Sequence, residues 1–167
     1  MFSVLPNIRT EKIHFVGSRR TKFKIVELND LKALRENLPI NEFSDKESDH
    51  LRTKVNSDNF PSADAILLCF SLSSLSSLSN AVTYWVPSLT ASSPSTPLVL
   101  VGCKSDMRNV HSPEHACVSS QQALAMSKHC GAVMYVETSA KTSDKSSASA
   151  FEVAALSAQR QISRQSS

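Results

Sequence analysis

The stretch "PLVLVGCKSDMR", Pro97 to Arg108, decides how the chain folds. Its first half, "PLVLVG" (97–102), carries no polar side chain, the mark of a strand buried on both faces. It then passes directly into a polar turn, Cys103-Lys104-Ser105-Asp106. In an open parallel sheet ligands bind beyond the carboxyl ends of the strands, so this turn stands where a site is expected.

Similar units lie on either side. Upstream, "ADAILLCFSL" (63–72) reads as a second strand buried on both faces. After it, Leu75, Leu78, Val82, Trp85 and Leu89 recur at helical spacing until Pro94 and Pro97 stop the pattern. Downstream, Ser119 is placed to cap a helix carrying Ala123, Met126 and Cys130, with Gly131 at its stop. "AVMYVETSA" (132–140) is a third strand, and Phe151, Ala155, Ala158 and Ile162 make one face of a last helix. Strands alternating with helices imply right-handed crossovers and a parallel sheet covered on both sides, an α/β fold.

The first 62 residues follow a different pattern. "TEKIHFVGSRRTKFKIVEL" holds two strand-like runs, 11–16 and 22–28, read as an antiparallel pair around Gly17-Ser18. The polar stretch 29–62, broken by Pro39 and Pro61, reads as a long connection with a short helix at 31–37. The whole is expected to form one domain: a divergent part (1–62), a site-bearing part (63–162) and a tail (163–167).

Composition narrows the function classes. A net charge of +3 in 167 residues is too small to call for nucleic acid or an anionic membrane as partner. The longest apolar runs are of strand length, and the N-terminal residues lack the pattern of a signal peptide. The four cysteines, Cys69, Cys103, Cys117 and Cys130, have no CxxC spacing and read as reduced thiols of a cytoplasmic protein. His111, His115 and Cys117 have a spacing suited to zinc, but Pro113 between the histidines favours a solvated loop and no metal. Arg19, Arg20, Lys22 and Lys24 read as a wet basic turn, and Trp85 and Phe151 as core.

The chemistry lies at the strand ends. An ionised Asp106 beyond its strand can accept both the N1–H and the 2-amino group of guanine, a pairing that adenine cannot offer. The stem of Lys104 can cover one face of the base while its ammonium stays hydrated. A second strand-end loop, "ETSAK" (137–141), offers the Ala140 amide to guanine O6 and the Lys141 stem to the other face. KxD alone is a weak signal, and two such loops after parallel strands about thirty residues apart reinforce each other.

Together "ADAILLCFSL", "YWVPSL", "TPLVLVGCKSDMR" and "YVETSAK" resemble the C-terminal part of a Rho-family small GTPase over residues 63–162. Cys103, where most of that family carries Asn or Thr, and "KHCGAVMYVETSA" are most similar to its Rnd branch, whose members bind GTP without appreciable hydrolysis and regulate actin. More weakly, "VLPNI" (4–8) resembles the family's first switch. The resemblance implies a P-loop-NTPase-like three-layer α/β sandwich, mostly parallel and incomplete at its N-terminal edge. It implies nucleotide contacts from Cys103, Lys104, Asp106, Ser139, Ala140 and Lys141, and partners among effectors and regulators of Rho-type signalling.

The departures from the family limit the chemistry. A phosphate loop needs the glycines of GxxxxGK[ST], and the glycines here, Gly17, Gly102 and Gly131, do not have that spacing. "FVGSRRTK" (15–22) remains open as a decayed version of such a loop. Asn7 stands where the family's Mg²⁺-binding Thr is expected, and "ELNDLKALREN" lacks its Asp-x-x-Gly and following Gln. The link Asn109–Cys117 is too short for the usual Rho insert helix, and "RQISRQSS" carries no prenylation box. The reading is therefore an atypical, Rnd-like GTP-binding protein with no catalytic residue assigned. GTP or GDP would be held weakly through the base, with no basis for Mg²⁺. It is placed in the cytoplasm, with any membrane association through partners. A nucleotide-free interaction module and a fragment of a complete GTPase stay open as alternatives.

Overall fold

In "RTEKIHFV" and "RRTKFKIV" apolar residues alternate with polar ones, and both segments are strands in the computed structural model, which describes residues 9–16, 19–26, 63–109 and 117–165. The chain divides into two compact units, Met1–Pro61 and Ser62–Ser167. In the first, β1 (Arg9–Val16) and β2 (Arg19–Val26) pair antiparallel from Arg9↔Val26 to Val16↔Arg19. That register leaves a two-residue connection, the shortest common hairpin. It also settles the alternative reading of 15–22. A phosphate loop opens a helix, whereas Arg19 opens a strand, so the decayed-loop reading is withdrawn. The first-switch resemblance, the short helix at 31–37, the possible zinc spacing and most of the Asn109–Cys117 link lie outside the described residues.

The second unit is built on a parallel sheet of β3 (Ile66–Ser71), β4 (Leu98–Cys103) and β5 (Met134–Glu137), with β4 in the centre. Burial follows position. Leu98 to Gly102 are buried throughout, whereas on β3, at the edge of this sheet, Cys69 is exposed and Leu67 is half-buried. The expectation that β3 is covered on both faces is thus corrected, because edge position outweighs apolar composition.

The strand β3 leads into helix α1 (Leu75–Asn80), a π-helical turn (Ala81–Trp85) and helix α2 (Val86–Ser92). The sequence pattern reads as one helix here, and Pro87 explains the interruption. Proline has no N–H to give and its ring crowds the carbonyl four residues back, so the preceding turn widens. The Val86 amide accordingly reaches the carbonyl of Ala81, five residues back. Leu78, Val82 and Leu89 are buried, but Leu75 is exposed and Trp85 only half-buried, set edge-on to Tyr84 with ring centroids 6.0 Å apart.

Helix α3 (Ser120–His129) has the expected cap at Ser119. The Ser119 hydroxyl accepts from the Gln122 amide, and the Gln122 side chain accepts from the Ser119 amide. Gly131 follows at φ +70°, the left-handed conformation that ends helices. Helix α4 (Asp144–Gln165) lies on one face of the sheet, where Val99, Val101 and Ala150 form a cluster with Leu67, Cys103, Val136 and Val153. Its packed face is Ala150, Val153, Ala154 and Ala155. The expected face is therefore turned: Phe151 and Ala158 are half-buried, and Ile162 is 57% exposed. Small alanines win the contact because they let the helix approach the branched side chains of β4.

On the opposite face, Phe70 and Tyr135 stack with ring centroids 6.4 Å apart, although β4 lies between their strands. Two strand spacings amount to about 9.6 Å, so the rings lean together over the intervening strand. Gly102 makes the room. A Cβ there would meet the Tyr135 hydroxyl at 2.8 Å and Leu72 Cδ2 at 2.9 Å.

Candidate functional site

The carboxyl ends of β4 and β5 carry the two loops picked out by sequence. At the end of β4, Cys103 is half-buried, and Lys104 then turns the chain with φ +62°. A non-glycine residue in this region is costly and worth a functional reading. The turn is tied by the Met107 amide donating to the Lys104 carbonyl at 3.0 Å, opening a short 3₁₀ turn, Ser105–Asn109, that carries Asp106 and Arg108.

At the end of β5, Thr138 and Ser139 are buried and Ala140, Lys141 and Thr142 form an exposed turn before α4. The turn is secured by serine hydroxyls. The Ser139 amide donates to Ser146 Oγ at 3.0 Å, and the Thr142 amide donates to Ser139 Oγ at 3.3 Å. Ser143 caps α4 by accepting from the Ser146 amide at 3.3 Å. Serine-rich sequence at 142–149 is thus turn and cap chemistry.

The two loops meet. Ser139 Oγ donates to Asp106 Oδ1 at 2.6 Å, and the Ser105 amide donates to the Thr138 carbonyl at 3.0 Å. One oxygen of Asp106 is held by a buried hydroxyl, which fixes the carboxylate while leaving acceptor capacity for a ligand. Of the expected contact residues, Asp106 and Ser139 are brought into direct contact. Cys103 joins them through Thr138, whose hydroxyl lies 3.8 Å from its sulfur. Lys104, Ala140 and Lys141 are exposed at the adjoining turns, outside this hydrogen-bonded cluster.

The thiol of Cys103 is acidified to about 6, chiefly by a hydrogen bond with Cys69, with Thr138 and the charge of Lys104 adding to it against the opposing effect of burial. The register places Cys69 opposite Val101 and Ser71 opposite Cys103, so the two thiols share one face of adjacent strands.

Three further residues join the loops and were not picked out by sequence reasoning. Arg108 forms a two-pronged ion pair with Glu137, one prong being Nη2 to Oε1 at 2.8 Å, while its Nε donates to the Val118 carbonyl at 3.0 Å. Tyr135 donates its hydroxyl to Glu137 Oε1 at 2.7 Å. The hydrogen bond to Glu137 raises the Arg108 pKa. Burial acts to raise that of Glu137, but bonds from Arg108, Tyr135 and Ser120 outweigh it and the net shift is downward. Burial, then the bond to Glu137, pushes Tyr135 upward. Arg108 closes the stretch "PLVLVGCKSDMR" and Glu137 opens "ETSAK", the one signal that pointed to them. Among the described residues no group of three or more His, Cys, Asp or Glu side chains is placed to hold a metal ion, and no helix is long and apolar enough to cross a membrane.

Comparison with known proteins bears on this geometry. The family model "Ras family" matches residues 50–160, two thirds of the chain. The "Rho-related GTP-binding protein RhoE" of Homo sapiens is 34% identical over 105 residues, 59% of this chain and 43% of that protein. The same figures hold for its Mus musculus counterpart. The "Rho-related protein racN" of Dictyostelium discoideum is 36% identical over 83 residues, 48% of this chain and 38% of its own. The matched stretch spans less than half the length of these relatives.

Proposed function

The chain belongs to the Ras family of small GTPases and is related to its Rho members, and on that premise we propose that it recognises guanine nucleotides through the base. Asp106 accepts from guanine N1–H and the 2-amino group, the Ala140 amide faces O6, and the stems of Lys104 and Lys141 flank the ring. Cys103 and Ser139 hold this arrangement in place. The observation that carries the reading is the 2.6 Å bond from Ser139 to Asp106, which ties the carboxylate of one strand-end loop to the other. The cellular role that fits is Rho-type signalling to the actin cytoskeleton and cell polarity, in the cytoplasm, through effector and regulator proteins. The sequence carries no GxxxxGK[ST] phosphate loop, has Asn7 where the family's switch Thr is expected, and shows no Asp-x-x-Gly followed by a water-orienting Gln. GTP hydrolysis by this chain is therefore not expected.

Titration of GTP, GDP and guanosine, with and without Mg²⁺, tests this function. A grip of a few hydrogen bonds and modest stacking is worth on the order of –4 to –6 kcal/mol, a Kd of roughly millimolar to tens of micromolar. The three ligands should bind within a few-fold of one another and ignore Mg²⁺, because their differences touch little protein. Submicromolar, Mg²⁺-dependent binding of GTP would contradict the base-only grip. Absence of binding at millimolar ligand would favour the second reading, a nucleotide-free interaction module.

A further inference from the structure

We propose that Arg108, Glu137 and Tyr135 form a clasp that sets the spacing of the two base-reading loops, and so act as positioning residues for guanine selectivity. The inference rests on the function proposed above and adds residues that touch no base. Arg108 sits two residues past Asp106 on the same 3₁₀ turn, and Glu137 two residues before Ser139 at the end of β5. The ion pair therefore spans the same gap as the Ser139–Asp106 bond, with Glu137 and Ser139 on either side of Thr138, whose carbonyl accepts from the Ser105 amide. A planar guanidinium meeting a carboxylate through two parallel bonds fixes distance and orientation, which a single-point contact does not.

The clasp is braced from both ends. Arg108 Nε is occupied by the Val118 carbonyl, so the guanidinium plane is anchored to the segment that enters α3. Glu137 is held by the Tyr135 hydroxyl from its own strand, and that hydroxyl lies in the space left by Gly102 on β4. The turn after β4 and the end of β5 thus converge on one carboxylate. Asp106 needs such support, since its reading of two adjacent donors demands placement to a fraction of an ångström.

Amide hydrogen exchange on the full chain tests the clasp without any ligand. In Arg108→Met, and in the shape-conserving Glu137→Gln should Arg108→Met fail to fold, the Ser105 amide should exchange at least tenfold faster. The β4 amides of Val99 to Val101 should be unchanged. The same variants should lose at least five-fold of the parent's preference for guanosine over inosine, which lacks the 2-amino group. Unchanged Ser105 protection would overturn the proposal. So would equal weakening of both nucleosides with the preference intact, the result of a merely structural role. A parent without preference for guanosine would remove the base-reading function, and Ser105 exchange alone would then decide whether the clasp spaces the loops.

Discussion

Cys103 shows how a single residue can combine a structural place with a chemical property. It ends the central strand, packs beside Val99 and Val101, and carries a thiol acidified to about 6. The acidification favours the thiolate, the reactive form of cysteine. Alkylation by iodoacetamide, followed by mass-spectrometric mapping, should show Cys103 reacting with a pH midpoint near 6, and Cys69→Ala should move that midpoint upward by removing the largest cause. A midpoint in the ordinary thiol range, or one indifferent to Cys69→Ala, would count against the arrangement. The placement of Asp106 and Ser139 at neighbouring strand ends was legible at this scale, because each short motif follows an apolar run. Arg108 and Glu137 were not, since partners 29 residues apart have no periodicity to reveal them. Only the paired ends of two strands bring them together.

Among the elements, repeating signals gave their existence and type, whereas their exact bounds, breaks, buried faces and exposure were set by neighbours. The parallel strands, the hairpin and the capped helix α3 follow from apolar runs, alternation and the Ser119–Gln122 box. The π-helical turn before Pro87, the rotated face of α4 and the exposure of Cys69 depend on local crowding or on position within the sheet. Gly102 belongs to the second kind. In sequence it closes an apolar run, and in the fold it is the gap through which Phe70 and Tyr135 meet. Gly102→Ala should destabilise the chain by about 1–3 kcal/mol, the usual cost of overpacking, read as a lower urea midpoint. Tyr135→Phe in the same background should recover part of that loss, because the hydroxyl is the nearest atom to the added methyl. Additive losses from the two substitutions would show that the methyl is accommodated elsewhere.

For the whole molecule, the clasp links folding to acidity. The Glu137 carboxyl is held below its ordinary range when folded, so its stabilising contribution is complete above that range and is lost as pH falls through the folded value. The stability gap between the parent and Glu137→Gln should be constant from neutral pH down to about 5 and shrink below about pH 4 in urea titrations. A gap that widens in acid would reverse the sign and remove the cause assigned. The sequence reads as one domain, although its change near residue 62 from polar, Pro-broken residues to apolar strands lies close to the division between the two compact units. The central claim is that Asp106, fixed by Ser139, reads guanine. Calorimetric titration of GTP and ATP into the parent and Asp106→Ala tests it most directly. The parent should prefer GTP, and the substitution should abolish that preference, a loss of roughly 2–5 kcal/mol for a charged, hydrogen-bonded acceptor. Equal GTP binding by parent and variant would contradict the claim and remove Asp106 from the site.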